Sequence, residues 1–275
     1  MSKRIILNVF FKHIPDLFFI RLMYIFKFNK IFKLSKCETF SDLIQKRKLL
    51  SYDERFSIYS DKLRAKDIVK EICPECIVPE LYGKYESIKN ICLESLPESF
   101  VLKTNHDSGS CFIVKDKKNY DFTHCFKVLE KSLNFDYGEF SKQRHYSEIK
   151  PYIICEEILP TSDLIDYKVH CFHGRPKYIQ VAYNEMNNIF TTDWCDTNVS
   201  YLNKRNLDGY SKPKALSSLI EISRELSKNF DYVRVDLYII EEKVYFGEFT
   251  FTPNNGYAKF MPLSFEKDLY RLWVN

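Results

Sequence analysis

Glycine is scarce in this sequence, seven in 275 residues, and none opens a Gly-Lys-Ser or Gly-Lys-Thr run. That excludes a P-loop. The nine cysteines include one CxxC, Cys73-Pro-Glu-Cys76, and no second. A four-ligand zinc site would need two more ligands at similar spacing. A redox role would need a thioredoxin-like helix start, whereas Cys73 follows a helical stretch. Buried, reduced thiols are the expectation, which points to the cytoplasm. No uncharged apolar run approaches the roughly 20 residues that cross a bilayer. A signal peptide fits badly too, because Lys12 and Asp16 break the apolar stretch and no small-residue cleavage site follows. There is no internal repeat, no low-complexity linker, and no Ser-His-Asp or Cys-His arrangement. The six histidines read as structural, with His106 and His170 the two worth testing.

What is present is a core. Hydrophobic residues make up 45% of the chain and charged residues 28%, enough for one large domain or two intimately packed ones. A net charge of +4 gives no case for nucleic acid as a partner. The charge is uneven, however. Residues 1–36 hold eight Lys or Arg against one acid, Asp16, so this leader is +7 and the remainder −3. Phe18, Leu22 and Ile25 recur at helical spacing, as do Phe19, Met23 and Phe26. Two readings stay open: helices packed on the body through their apolar face, or a basic amphipathic face making peripheral contact with anionic lipid.

Beyond the leader, residues 37–59 read as polar helix. Residues 61–73 read as a second helix with Ser60 as N-cap and Pro74 marking its end. Residues 77–82 look extended. The runs 99–103 and 111–115 read as strands joined by the loop TNHDSGS, and a helix is expected at 122–134. Three β-rich runs follow at 152–157, 165–172 and 176–183. The Asn- and Asp-rich segment Asn184–Ser211, with Trp194, reads as a long excursion and a candidate for substrate recognition. Pro213 leads into a helix to about Asn229. Runs 232–240 and 243–249 form a hairpin, and a short helix closes the chain. The fold class is α+β with substantial antiparallel pairing.

Three places could carry chemistry. Gly109 lies in the loop Thr104–Ser110, directly after a strand ending in Lys103. Such a loop can present backbone N–H groups to phosphate oxygens while the lysine supplies charge, and it can equally be an ordinary hairpin turn. Arg234, Asp236 and Tyr238 alternate on YVRVDLY, so Arg234 and Asp236 share a face. If the returning strand pairs with this one, Glu248 converges with Asp236, and two carboxylates facing a cleft suit Mg²⁺ or a similar hard cation. The plainer alternative is a solvated face of the hairpin. Glu156-Glu157, at the end of YIICEE, can meet a nucleotide's amino group and hydroxyls, or can be a solvated strand end.

Six segments in order, SDKLRAK (Ser60–Lys66), FVLKTNHDSGS (Phe100–Ser110), ICEEIL (Ile154–Leu159), DYKVHCFHG (Asp166–Gly174), YVRVDLY (Tyr232–Tyr238) and YFGEFTFTPNNG (Tyr245–Gly256), together resemble the ATP-grasp superfamily. Within it the chain is most similar to the TupA-like branch, named for teichuronopeptide biosynthesis. The resemblance implies an ATP-grasp fold, two α+β subdomains clasping ATP: a basic, mostly helical segment at 1–60, a small lid subdomain at 61–157, and a large subdomain with the metal site at 158–275. It implies that Lys62 and Lys103 neutralise ATP phosphates beneath a loop of Asp107, Ser108, Gly109 and Ser110. Glu156, Glu157, Ile158 and Leu159 would hold adenine, and Asp166 the ribose. Lys168 and Arg234 would serve the transferring phosphoryl group, and Asp236 and Glu248 would ligate Mg²⁺ or Mn²⁺. Where many members carry Asn two residues after the last metal-binding Glu, this chain has Thr250, so Asn254 or Asn255 is the candidate to complete the site. In place of a Rossmann-like domain ahead of the grasp it has residues 1–60. The chemistry implied is ligation of a carboxylate to an amine through an acyl phosphate. The substrates would be an amino acid and a sugar acid or glycan, in cell-surface polysaccharide (capsule) assembly, on the cytoplasmic side of the membrane. The rivals are a phosphotransferase of the same fold and a glycosyltransferase; against the latter, no DxD motif occurs, only Asp193 and Asp196 flanking Trp194.

Overall fold

The computed structural model describes residues 14–51, 53–161, 163–202, 204–206 and 208–275. The first thirteen residues of the basic leader therefore lie outside the described residues. Two antiparallel sheets organise the rest. The smaller has strand order β1-β4-β2-β3, from β1 (Leu81–Tyr85), β2 (Phe100–Thr104), β3 (Cys111–Val114) and β4 (Ile153–Glu156). The larger has seven strands in the order β10-β9-β5-β6-β7-β8-β11. These are β5 (Asp166–Phe172), β6 (Arg175–Tyr183), β7 (Met186–Thr191), β8 (Asp196–Tyr201), β9 (Tyr232–Ile240), β10 (Lys243–Thr250) and β11 (Phe260–Met261).

Eight α-helices flank the sheets among the described residues: α1 (Asp16–Phe28), α2 (Phe40–Leu50), α3 (Glu54–Ser60), α4 (Arg64–Ile72), α5 (Phe122–Leu133), α6 (Tyr137–Ser141), α7 (Leu216–Ser227) and α8 (Ser264–Val274). Sequence sets their starts. A capping box opens α2, where Thr39 Oγ1 accepts from the Asp42 N–H at 3.2 Å and the Asp42 carboxylate accepts from the Thr39 N–H at 3.0 Å. The expectation for Ser60 is corrected: it closes α3, and α4 begins only at Arg64. The intervening turn is held by Asp61, whose Oδ1 accepts from the Leu63 N–H and from Asn105 Nδ2, both at 2.9 Å. An aspartate free to accept two donors makes a better turn than a continued helix.

The large sheet is covered on both faces, and strand alternation decides which residues go where. Tyr167, Val169 and Cys171 of β5 and Val233, Val235 and Leu237 of β9 pack under Leu219, Ile222 and Leu226 of α7, with Val69 of α4 in the same core. The opposite face buries Phe172 and Tyr232 against Phe40 and Ile44 of α2 and Leu269 and Trp273 of α8. Helix α4 thus belongs to the large-sheet core, although it follows the boundary expected at residue 61. The small sheet has its own core, in which Phe100, Leu102 and Cys155 meet Leu129 of α5.

The segment read as a long excursion is instead sheet over its first two thirds. It contains β7 and β8, reached from β6 by a two-residue turn at Asn184 and Glu185, both at positive φ. Its polarity is internal. Asn188 is fully buried, its Oδ1 accepting from the Asn206 N–H at 2.9 Å and its Nδ2 donating to Asn206 O at 3.0 Å. Gln180 Nε2 donates to Asn187 Oδ1 at 2.7 Å. Buried amides that satisfy one another are tolerated in a sheet. All nine cysteines are free thiols; Cys73 and Cys76 are buried, and burial pushes both thiols up, so the pair stays protonated. No described helix is long and apolar enough to cross a membrane.

Candidate active site

A cleft of about 410 Å³ opens between the two sheets. The small sheet contributes Lys103 from β2, the loop Asp107–Ser110, and Glu156–Leu159 after β4; the large sheet contributes Asp166 and Lys168 of β5, Asp236 of β9 and Glu248 of β10. Lys62, in the turn before α4, and Lys66, in its first turn, reach in as well.

On the large-sheet side, register does the placing. Lys168 lies opposite Asp236 across β5–β9, and Glu248 opposite Asp236 across β9–β10. The second pairing depends on a bulge at Gly247 between Phe246, paired with Leu237, and Glu248. The extra residue turns Glu248 to the cleft face while Phe246 and Phe249 both stay in the core. A Cβ at Gly247 would lie 2.8 Å from Asp236 O and 3.0 Å from the Tyr238 ring, so the bulge has room only for glycine.

Asp236 is gripped from two sides. Arg234 donates from Nε to Oδ1 at 2.7 Å and from Nη2 to Oδ2 at 2.6 Å, and Lys168 Nζ lies 3.3 Å from Oδ2. Burial opposes ionisation of Asp236, yet Arg234 and then Lys168 hold its carboxyl below the usual carboxylate range. Burial works against the Arg234 charge as well, but the Asp236 carboxylate raises its pKa further, so it stays a cation. Lys168 also meets Asp166 Oδ2 at 3.1 Å. Thr250 Oγ1 accepts from Arg234 Nη2 at 3.2 Å and donates to Glu248 Oε1 at 3.4 Å, while Lys62 Nζ lies 3.8 Å from Glu248 Oε2.

On the small-sheet side, Glu156 is buried between two ammonium groups: Lys66 lies 2.7 Å from Oε2, and Lys103 pairs with Oε1. Burial would raise this carboxyl, but Lys103 and Lys66 bring it below its ordinary value. The loop is built around Asp107, whose carboxylate accepts from the hydroxyl of Thr104 at 2.6 Å and from those of Ser110 and Ser132. Asp107 therefore shapes the loop with its side chain turned into it, and the exposed tip is Ser108 and Gly109. Gly109 adopts φ +105°, a conformation that favours glycine. Lys62 Nζ donates to Asp107 O at 2.6 Å, tying the turn before α4 to this loop. His106 is buried with Nε2 near Ser132 O at 3.1 Å, and His170 with Nδ1 near Tyr232 Oη at 3.0 Å; both sit inside packing networks.

A family model described as "TupA-like ATPgrasp" matches residues 42–272. The chain belongs to this family. Its fold is accordingly the ATP-grasp fold, and the two α+β units either side of the cleft are its grasp. No curated protein matches. Among solved structures, the D-alanine–D-alanine ligase from Bacillus anthracis is similar at 17% identity over 79% of this chain and 66% of that one, with a TM-score of 0.48. The same enzyme complexed with ATP gives 16% identity over 71% of this chain, with a TM-score of 0.43, and is spanned by this chain for 55% of its length. The L-amino acid ligase from Bacillus licheniformis is similar at 11% identity over 78% of this chain and 49% of that one, with a TM-score of 0.48.

Of the ATP-grasp residues expected from sequence, Lys62, Lys103, Asp107, Ser108, Gly109, Ser110, Glu156, Glu157, Ile158, Leu159, Asp166, Lys168, Asp236 and Glu248 all line the one cleft. Arg234 and Thr250 stand behind Asp236 and Glu248 as their hydrogen-bond partners. Asn254 does not line the cleft: its Nδ2 donates to Tyr201 Oη at 2.6 Å, and Asn255 Nδ2 donates to Ser141 O at 2.8 Å. The Glu156 carboxylate is committed to lysines, and the Glu157 N–H to Glu80 O at 2.9 Å, beside Ile158 and Leu159 in the cleft wall. Sequence reasoning missed Lys66. The signal was present: it stands four residues after Lys62, within the same SDKLRAK segment.

Proposed function

We propose that the chain is an ATP-dependent carboxylate–amine ligase that works through an acyl phosphate. The observation that supports it most is the convergence of three lysines, Lys62, Lys103 and Lys168, with Asp236 and Glu248 in one cleft, Arg234 backing Asp236. A triphosphate and a substrate carboxylate repel each other, so a site that brings them together must supply fixed positive charge. Lys103 and Lys66 surrender to phosphate oxygens the charge they now share with Glu156, and the Ser108–Gly109 backbone closes over them. Lys168, held in place by Asp236, faces the γ-phosphoryl group and the carboxylate oxygens, while Arg234, behind Asp236, adds fixed positive charge. Closure of the loop keeps water from the acyl phosphate until the amine attacks and phosphate leaves. No nucleophilic side chain is required.

The donor set at the cleft suits a divalent cation. Asp236 and Glu248 offer oxygens from adjacent strands, and the Glu248 side chain is 44% exposed. Among the described residues no group of three or more His, Cys, Asp or Glu could hold a metal by itself, so any cation here needs phosphate or water oxygens too. That is the habit of Mg²⁺. When bound, it would offset the charge that develops on the transferring phosphoryl group. Thr250 serves Arg234 and Glu248, and Asn254 is engaged elsewhere; neither is assigned as a ligand here.

The substrates proposed are an amino acid and a sugar acid or glycan-linked carboxylate of a cell-surface polysaccharide, joined in the cytoplasm. This follows the branch name of the family, and it is tested by product analysis. Purified protein is incubated with ATP, Mg²⁺, candidate amino acids and candidate sugar acids, and ADP release is followed. ADP release that requires both partners, with an amide in the product, supports the ligase. ADP release without an amine, yielding a phosphoester, would make it a phosphotransferase, and preferential binding of a nucleotide sugar over ATP would overturn both readings.

A further inference from the structure

Helix α1 carries apolar side chains on two faces. Phe19, Ile20 and Tyr24 are buried with Phe32, and Leu49 and Tyr257 pack against them. On the other side Phe18, Leu22, Ile25 and Phe26 fall on one stripe at spacings of four, seven and eight residues, and all four are exposed, Phe26 at 81%. A helix apolar all round is ordinarily enclosed. Among the described residues this one is covered on one side only. Beside it runs a groove of about 410 Å³ floored by Tyr24, Phe28 and Phe260, whose walls add three more exposed apolar side chains: Ile31, Met261 and Leu263.

The uncompensated charge around this surface is positive. Lys30, Lys33, Lys36 and Lys259 edge the groove, and Arg21 and Lys27 lie exposed on the helix. The acids nearby are already occupied. Asp16 is held by Arg144 at 2.8 Å and Lys142 at 3.4 Å. Asp42 accepts from Tyr24 Oη at 2.9 Å, Glu266 from the Ser41 N–H at 2.9 Å, and Glu38 pairs with Lys36 at 3.0 Å.

We propose that this face docks on a membrane that carries anionic lipid. The exposed Phe, Leu and Ile side chains would enter the boundary between headgroups and acyl chains while the lysines meet lipid phosphates. An apolar centre edged by an excess of cations, its acids already paired, complements a bilayer surface, which presents negative charge above an apolar interior at every point. A protein partner would have to supply the same combination in one matching patch. Contiguous exposed apolar surface of this kind marks an interaction site. Two signals, apolar insertion and clustered positive charge, are what stable peripheral binding requires. None of these side chains lines the ATP-grasp cleft, so docking leaves the cleft accessible, and the proposal stands independently of the ligase reading.

The test is sedimentation of the full chain with vesicles of equal parts phosphatidylglycerol and phosphatidylcholine, or of phosphatidylcholine alone. The wild type should sediment with the anionic vesicles, remain in solution with the neutral ones, and be released by high salt. The double variant Ile25→Asp, Phe26→Asp should lose binding. The triple variant Lys30→Ala, Lys33→Ala, Lys36→Ala should bind about a hundredfold more weakly, since each lysine near an anionic surface is worth about fivefold. These residues are exposed, so circular dichroism and the thermal midpoint should match the wild type in both variants. The proposal is overturned if the wild type stays in solution with anionic vesicles, or if both variants sediment as it does. A dimer that the Ile25→Asp, Phe26→Asp variant breaks, without vesicle binding by the wild type, would make the face a protein interface instead. A lowered midpoint in that variant, again without vesicle binding, would mean that the chain itself covers the stripe.

Discussion

Glu156→Gln separates the charge of the small-sheet site from its shape. The carboxylate it removes is 5% exposed and lies between the ammonium groups of Lys66 and Lys103, whose side chains are 8% and 17% exposed. Glutamine fills the same volume, so packing is preserved and two buried cations are left facing a neutral amide. Breaking a buried pair by removing one partner costs about 3–5 kcal/mol. Lys66 can relieve part of this by releasing its proton, because burial already lowers its pKa. A loss of about 3 kcal/mol is therefore expected, a fall in thermal midpoint of roughly 6–12 °C for a chain of this size. ATP should then do more for the variant than for the wild type, since its phosphates replace the missing negative charge and the added binding energy appears as added stability. Thermal unfolding with and without ATP and Mg²⁺ measures both quantities. A variant midpoint equal to the wild type would refute the ion-pair argument. An ATP-induced shift no larger than in the wild type would refute the placement of phosphates against Lys66 and Lys103. Adding Lys66→Met should restore part of the lost stability, because it removes one of the two stranded cations.

Asp236→Asn removes the carboxylate that fixes Arg234 and Lys168 and leaves Arg234 buried and uncompensated. ATP turnover should fall by about 10²–10³, as for loss of other preorganised charge, with the secondary structure intact by circular dichroism. Gly247→Ala meets Asp236 O at 2.8 Å and should cost about 1–3 kcal/mol in urea unfolding, with turnover falling as Glu248 leaves the cleft face. Stability should decline on acidification well before the carboxylates titrate. Burial, with Arg234 for His170 and with Arg47 for His145, holds both imidazoles at a pKa of about 3, while the unfolded chain protonates near 6.5. The unfolded state therefore binds more protons from about pH 6.5 downward, and stability falls with pH across that window. Glu266 opposes this: burial raises it to about 7, so the folded state takes up a proton between about pH 7 and 4.5 that the unfolded state does not. Glu266→Gln should accordingly steepen the acid limb measured by urea unfolding at successive pH values, by up to about 1.4 kcal/mol per pH unit.

The hairpin bearing Arg234 and Asp236 was legible because its alternation is unbroken: Val233, Val235 and Leu237 are buried on one side, and the charged residues necessarily share the other. Which strand lies beside it was not legible. Only the register of β5 against β9 sets Lys168 opposite Asp236, and no local pattern encodes that pairing. The region read as an excursion failed for a different reason. Asn187 and Asn188 read as loop residues because isolated asparagines favour turns, but their amides satisfy Gln180 and Asn206 inside the sheet, a compensation that exists only once the strands are paired. The bulge in β10 lies between these cases. Phe246 and Phe249 are three apart, and a regular strand cannot send both to one face. Since both are buried in the same core, one residue between them must be accommodated as an extra. Gly247 is the residue there that can be so accommodated, because any side chain would strike Asp236 O or the Tyr238 ring. The segment Phe-Gly-Glu-Phe thus already contains the conflict whose resolution turns Glu248 toward Asp236, and it is this one-residue shift, rather than the presence of two acids on a hairpin, that makes them neighbours in the cleft.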